Sequence, residues 1–286
     1  MIDLHTHSNK SDGELSPSEL MEKAYEDGVN IISLTDHDNV SGNAEAEKKC
    51  SELGMKFITG IEISTDEFKD LHILGYGIDI NNPELLEKCE LFRKSRISRV
   101  KTFIEYLARH NIFITEEDVL KYSGSGVVAR PHFAHAMIEK GYVSSIKQAF
   151  EEYLATPEFN KIKRYKASFR EAFRLIHNAG GIAVMAHPYQ LRKPEKEIED
   201  LISELKQNGL DGIECYYSRH TVEMFRYYRS LADKYNLYVS IGSDYHGKTV
   251  KPDISLGRGF QDSLIEFQKI QPFCDDERNI LKYFGI

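Results

Sequence analysis

The chain has 286 residues, of which 41% are hydrophobic and 29% charged, with a formal net charge of −8. Such a composition builds one large α/β domain, or one domain with an insertion, and excludes a disordered chain. The acidic balance argues against a long nucleic-acid footprint, and no apolar run approaches the ~20 residues that span a bilayer.

No basic segment followed by an apolar leader precedes His5. The four cysteines, Cys50, Cys89, Cys215 and Cys274, are scattered, with no Cys-x-x-Cys pair. Both features predict a cytoplasmic protein with reduced thiols, free of membranes and with no obligate protein partner.

In chain order, Met1 to Leu4 reads as a short first strand. Ser16-Pro17-Ser18-Glu19 opens a helix with a cap serine and an early proline, and Asp27-Gly28 closes it. Ile31 to Leu34 is a buried strand, Ser41 to Leu53 a helix, and Phe57 to Ile61 a third strand ending at Glu62. Leu71 to Tyr76 is a fourth, with His72 near its start. This alternation is the βα grammar of a parallel sheet or barrel.

The pattern then changes. Pro83 to about Asn111 is one long helical period, and Thr115-Glu116-Glu117-Asp118 caps another helix. Ser123-Gly124-Ser125-Gly126 is a loop, and short helices cover Pro131 to Lys140 and Ser144 to Leu154. No strand is expected between about 83 and 165. Helices at Ser168 to Ala179, Glu195 to Asn208 and Thr221 to Tyr235 then alternate with strands at Ile182 to Met185, Leu210 to Cys215 and Leu237 to Ile241. Residues 1–82 and 166–286 thus read as two parts of one α/β sheet or barrel, and 83–165 as an inserted helical subdomain. The last forty residues offer apolar anchors, among them Ile254, Leu256, Phe260, Leu264 and Phe267, but no chemical motif.

Chemistry recurs at strand ends. In Asp3-Leu4-His5-Thr6-His7, two imidazoles two residues apart face the same side of an extended segment. Asp12, His37, Glu62, His72, His187 and Asp244-x-His246 follow, most of them just after an apolar run. In barrels and open α/β sheets such groups converge where strands end. Imidazoles and carboxylates without thiolate suit Mn, Zn or Fe in a catalytic role. One ion takes roughly four to six ligands, so this set implies two or three divalent ions, with Glu62 as a bridging carboxylate. Such ions lower the pKa of bound water toward ~7, and so supply hydroxide that can attack phosphorus. The insertion adds Arg93, Arg96, Arg99 and Lys101, and Arg130-Pro131-His132 at a helix start. Guanidinium groups hold phosphate oxygens in bidentate fashion.

This order of residues resembles the polymerase-and-histidinol-phosphatase (PHP) family of metal-dependent phosphoesterases. The resemblance implies a distorted, TIM-like (β/α)7 barrel with a trinuclear site. One ion would take His5, His7, Glu62 and Asp244; the second Glu62, His72 and His187; the third Asp12, His37 and His246. The insertion, Arg130-Pro131-His132 and Ala186-His187-Pro188 resemble one branch, which contains nucleoside 3′,5′-bisphosphate phosphatases and 5′-end RNA or oligonucleotide exonucleases. On that branch Arg99 and Arg130 would engage substrate phosphate, with Asp12, His37 and His132 facing the substrate. Glu62, Asp244 and His132 are then the expected catalytic residues. The implied substrate is a small phosphorylated nucleotide or a short oligonucleotide.

Each assignment has a plainer alternative. His5 and His7 could be a satisfied strand-end pair, Asp12 a turn former, and His72 a core histidine. His132 could be a metal ligand, a general acid for the leaving oxygen, a phosphate contact or a helix-start residue without a role. The arginines of the insertion could be a solvated helix face. Asp36 and Asp38 are read as orienting His37. Glu214 is set aside, and His110, His135, His177 and His220 fit no cluster. Two other functions compete: a metal-dependent C–N hydrolase, and a non-catalytic nucleotide-binding module.

Overall fold

A computed structural model of the chain describes residues 1–123, 128, 130–258, 273 and 275–286. Gly124, Ser125 and Gly126 of the expected loop, the anchors Phe260, Leu264 and Phe267, and Cys274 lie outside the described residues. The chain divides into two compact units, residues 1–89 with 166–286, and residues 90–165.

The first unit is a seven-stranded sheet in sequential order: β1 (Ile2–Asp3), β2 (Ile31–Leu34), β3 (Lys56–Ser64), β4 (His72–Tyr76), β5 (Ile182–Met185), β6 (Gly212–Tyr217) and β7 (Tyr238–Gly242). Helices α1 (Pro17–Glu26) and α2 (Asn43–Leu53) precede β2 and β3. The long α3 (Pro83–Arg109) starts in this unit and leads into the other. The sheet curls until its first and last strands meet. Leu4 N–H donates to Ile241 O at 3.0 Å, Asp244 N–H to His5 O at 2.8 Å and His7 N–H to Tyr245 O at 2.9 Å. This is the distorted α/β barrel expected from the sequence.

Two expectations need correction. First, the sheet is not wholly parallel. β4 runs antiparallel to both β3 and β5, pairing Ser64 with His72 and Ile73 with Met185. Second, β3 does not end at Glu62 but runs on to Ser64, so Glu62 is a strand residue. Both follow from the tight β3–β4 return. A reversed strand starts at the rim where its neighbours end, so His72 arrives beside the residues after β5, and Ala186 N–H donates to His72 O at 3.1 Å.

The layers around the sheet follow local rules. α1 opens on a capping box between Ser16 and Glu19 with Pro17 in its first turn. Its buried Leu20, Met21 and Ala24 pack with Ile32, Leu34, Ala46 and Cys50. Ile254 and Leu256 join the same cluster. α7 (Phe169–Asn178) is capped by Ser168 and buries Phe169, Ala172, Phe173 and Ile176, the three- and four-residue spacing of an amphipathic helix. α8 (Glu195–Gln207) and α9 (Val222–Lys234) complete this layer.

The second unit holds most of α3 and the shorter α4 (Glu116–Ser123), α5 (Arg130–Glu139) and α6 (Ile146–Ala149), the last passing into a π-helical turn at Phe150–Leu154. No strand occurs among its described residues. It has its own core of Phe103, Tyr106, Leu107, Phe133, Met137 and Phe159.

Barrel closure leaves no room at Gly242. A Cβ there would lie 2.2 Å from His5 Cβ and 2.9 Å from His5 N, both on the facing strand segment. Gly242→Ala is therefore expected to destabilise the barrel by about 1–3 kcal/mol, as overpacking does. A lower midpoint in thermal or urea unfolding checks this; an unchanged midpoint would mean that the seam can open.

Candidate metal centre

The site is built on Glu62. Its side chain is fully buried, yet five imidazole nitrogens surround its two oxygens. Oε1 lies 2.9 Å from His72 Nδ1 and 2.8 Å from His187 Nε2. Oε2 lies 3.2 Å from His5 Nε2, 3.1 Å from His7 Nε2 and 3.0 Å from His37 Nδ1. Asp244 Oδ1 stands 3.6 Å from His5, 3.4 Å from His7 and 3.3 Å from His246. The half-exposed Asp12 reaches His7 and His37 at 3.7 Å and His246 at 3.3 Å.

Three groups of ligating atoms, each within 4.8 Å of one another, result: His5, His7, Glu62 and Asp244; His7, Asp12, His37 and His246; and His37, Glu62 and His72. The first is the set expected for one ion. The second contains the set expected for the third ion and adds His7. In the remaining group His37 stands where His187 was expected, although His187 shares Glu62 Oε1 with His72. Arg99, Arg130 and His132 belong to the helical unit.

The donor set fits divalent ions. His5 Nε2, both ring nitrogens of His7, His37 Nδ1, His187 Nδ1, Asp12 Oδ1 and Glu62 Oε2 are buried without a hydrogen-bond partner. Leaving such atoms unsatisfied is costly, and cations bound among them would supply partners to those that face the three groups. Their charge states agree. Burial alone would raise Glu62, but His37, His5, His72 and His187 outweigh it and hold its carboxyl well below the usual range. Burial opposes the charged form of His7 too, yet Asp244 and Glu62 raise it to about 9. His5 is likewise raised, by Glu214, Glu62 and Asp244 against burial. Burial wins at His37, which falls to about 3.

Other buried carboxylates hold the ligands in place. Glu214 Oε1 lies 3.0 Å from His5 Nδ1, and its Oε2 accepts the His187 backbone N–H at 2.7 Å. Asp3 accepts the backbone N–H groups of His5, Ser243 and Gly257. Asp36 accepts the backbone N–H and hydroxyl of Ser8 and the hydroxyl of Ser11. It thus secures the loop between His7 and Asp12, rather than His37 as expected. Asp38 accepts the Ser64 N–H at 2.9 Å. Burial pushes Asp3 and Asp36 each up to about 6. Sequence reasoning missed Asp3 and set Glu214 aside; their strand-borne position beside ligands was the available signal. Three residues here, Asp38, His187 and Asp244, have positive φ (56°, 26° and 62°), a strained conformation that collects at functional sites.

In the helical unit, the Arg99 guanidinium lies 4.9 Å over Phe103, and that of Arg130 lies 5.2 Å over Phe159. Burial, then Arg164, Arg96 and Arg130, lower Arg99 to about 10. Burial, then His135, lowers His132. Arg93 is an exposed ion-pair partner of Glu90. The histidines expected to be ordinary have structural partners: Glu158 for His110, Tyr122 for His135, Asp211 for His177 and the Cys215 carbonyl for His220.

Comparison with known proteins decides the family: a profile described as the PHP domain matches residues 3–241. The chain belongs to the PHP family. A 5′-3′ exoribonuclease of Haemophilus influenzae is 37% identical to this PHP protein over 85% of the chain and 89% of the relative. A 3′,5′-nucleoside bisphosphate phosphatase of Chromobacterium violaceum is 32% identical, over 86% and 87%. A solved structure described as a metal-dependent phosphoesterase, from Bifidobacterium adolescentis, superposes with a TM-score of 0.74 at 28% identity, covering 94% of each chain. The PHP chain is accordingly a metal-dependent hydrolase of phosphoric esters.

Metal ligands must be deprotonated, whereas Glu214, Glu62 and Asp244 keep His5, and Asp244 and Glu62 keep His7, protonated near neutrality. Mn²⁺ binding at pH 7 is therefore expected to release about one proton or more per chain, and apparent affinity should rise as pH climbs toward about 9. Calorimetric titration in two buffers of different ionisation enthalpy checks this; a binding heat independent of buffer would contradict it.

Proposed function

We propose that the chain hydrolyses a phosphomonoester of a small nucleotide of the 3′,5′-bisphosphate type, using two or three divalent ions. The observation that carries the reading is the convergence of five imidazoles on the buried Glu62, beside Asp244 and Asp12. His5, His7, Glu62 and Asp244 would hold one ion; His72 and His187 with Glu62 a second; Asp12, His37 and His246 a third. Ions held there supply an activated water and offset charge on the phosphoryl oxygens.

The protein's own part is placement and charge. Glu62 offers one oxygen to each side of the cluster, which keeps neighbouring sites at a fixed spacing. Asp3 and Glu214 hold the backbone N–H groups of His5 and His187, and Asp36 that of Ser8 beside His7, which limits the reorganisation needed during reaction. In the helical unit, Arg99 and Arg130 are proposed to bind substrate phosphate. Their support is the local crowding of like charge around Arg99, which an anion would relieve. His132 is proposed to contact the departing alkoxide; burial, then His135, favour its neutral form, which weighs against the alternative role of proton donor.

A second reading, stepwise removal of nucleotides from the 5′ end of RNA, draws support from the Haemophilus relative. Both readings use the same phosphorus chemistry and differ in the length of the leaving group. The C–N hydrolase alternative is disfavoured by the arginines of the insertion. Among the described residues Cys50, Cys89 and Cys215 are free thiols, which supports the proposed cytoplasmic setting. Among the described residues no helix is long and apolar enough to cross a membrane.

Phosphate release from a 3′,5′-nucleoside bisphosphate with Mn²⁺ tests the reading, with a 5′-phosphorylated oligoribonucleotide as comparison. His5→Ala and Asp244→Asn are each expected to abolish activity with the fold retained; full activity in either would remove the mechanism. Arg130→Ala should raise KM about tenfold or more with kcat little changed, if its grip is equal in ground and transition states. An unchanged kcat/KM would reject the clamp.

A further inference from the structure

The two oxygens of Asp244 have different surroundings. Oδ1 faces His5, His7 and His246. Oδ2 faces three donors from three separate parts of the chain. Lys251 Nζ approaches it at 2.6 Å, the Tyr217 hydroxyl at 3.1 Å and Gln190 Nε2 at 3.4 Å. Gln190 Nε2 also donates to the Tyr217 hydroxyl at 2.7 Å. With its oxygen accepting from Gln190, the single phenolic proton of Tyr217 is free to point at Asp244. The result is a directed chain, Gln190 to Tyr217 to Asp244, with an ammonium added at the end.

Each donor is set by the fold. Gln190 lies on the short 3-10 turn Pro188–Leu191, directly after His187. Tyr217 is the last residue of β6 and is buried, with its ring 5.7 Å from that of His187. Lys251 follows β7, its side chain 27% exposed. Asp244 itself sits at φ 62°, so its backbone alone does not define a relaxed side-chain direction.

Resting on the assignment of Asp244 as a metal ligand, we propose that Gln190, Tyr217 and Lys251 are positioning residues that occupy Oδ2 and leave Oδ1 as the single donor to the ion shared with His5, His7 and Glu62. An unrestrained carboxylate rotates and can offer either oxygen or both. With Oδ2 held by three donors, rotation would break all three contacts. One lone-pair direction then remains, toward the imidazoles. Outer contacts of this kind orient metal ligands and change metal affinity by about 10–100-fold when removed.

The sign of one substitution separates this role from simple charge balance. Lys251 is a cation close to a site for cations, so Coulomb repulsion alone predicts that Lys251→Met binds metal more tightly. Positioning predicts weaker binding. The experiment titrates the full metal-free chain with Mn²⁺ against a competing chelator dye. Tyr217→Phe, Gln190→Met and Lys251→Met should each lose about 10-fold or more in affinity for one ion, with Lys251→Arg recovering most of it. Unfolding midpoints of the metal-free variants identify any that fail to fold, and the three sites give independent tests. Wild-type affinity in folded Tyr217→Phe, or tighter binding in Lys251→Met, would overturn the proposal. Asp244→Asn serves as reference: if it too binds Mn²⁺ like wild type, the fault lies in the ligand assignment, whereas loss there without loss in the other variants refutes the positioning role alone.

Discussion

A buried carboxylate shared by five imidazoles is the constraint around which this barrel is arranged. Glu62 has no access to solvent, and an isolated buried charge would be strongly destabilising. Its two oxygens divide the histidines, His72 and His187 on one and His5, His7 and His37 on the other. Without cations this arrangement places protons on His5 and His7 and leaves other ring nitrogens without partners. With cations the same atoms become donors. The geometry therefore makes sense as a receptor for ions more than as a hydrogen-bond network.

Keeping that cluster together requires support in every direction. Asp3 and Glu214 bind backbone N–H groups of His5, Ser243 and His187, so the strand ends that carry ligands are tied to one another. Asp36 ties the first loop. The strained φ angles of Asp38, His187 and Asp244 are the counterpart. Each costs of order 1–3 kcal/mol and persists only where surrounding contacts determine it. The apolar layers outside the sheet, such as the Leu20, Met21 and Ile32 cluster, supply stability that the site itself does not.

The helical unit is a separate solution to a separate problem. It packs its own core of Phe103, Phe133 and Phe159 and so can present arginines without disturbing the barrel. Arg99 and Arg130 each lie over one of these rings, which keeps a planar cation oriented while its charge stays available. If the proposed phosphate contacts of Arg99 and Arg130 hold, metal chemistry would belong to the barrel and phosphate recognition to the insertion.

Much of this was legible along the chain. Period-2 and period-3.6 patterns and cap serines at Ser16 and Ser168 were enough for the alternation of strands and helices, because these are local signals repeated in order, whereas the barrel itself was implied by the family resemblance. Tertiary structure decided what depends on pairing. Nothing local marks β4 as reversed, yet its reversal brings the start of that strand, and with it His72, to the rim reached by the ends of β3 and β5. Likewise Asp3, Glu214, Tyr217 and Lys251 find their partners only through the fold, as far as 254 positions away. A residue's type limits which bonds it can make, but the closed sheet alone determines which atoms come within reach.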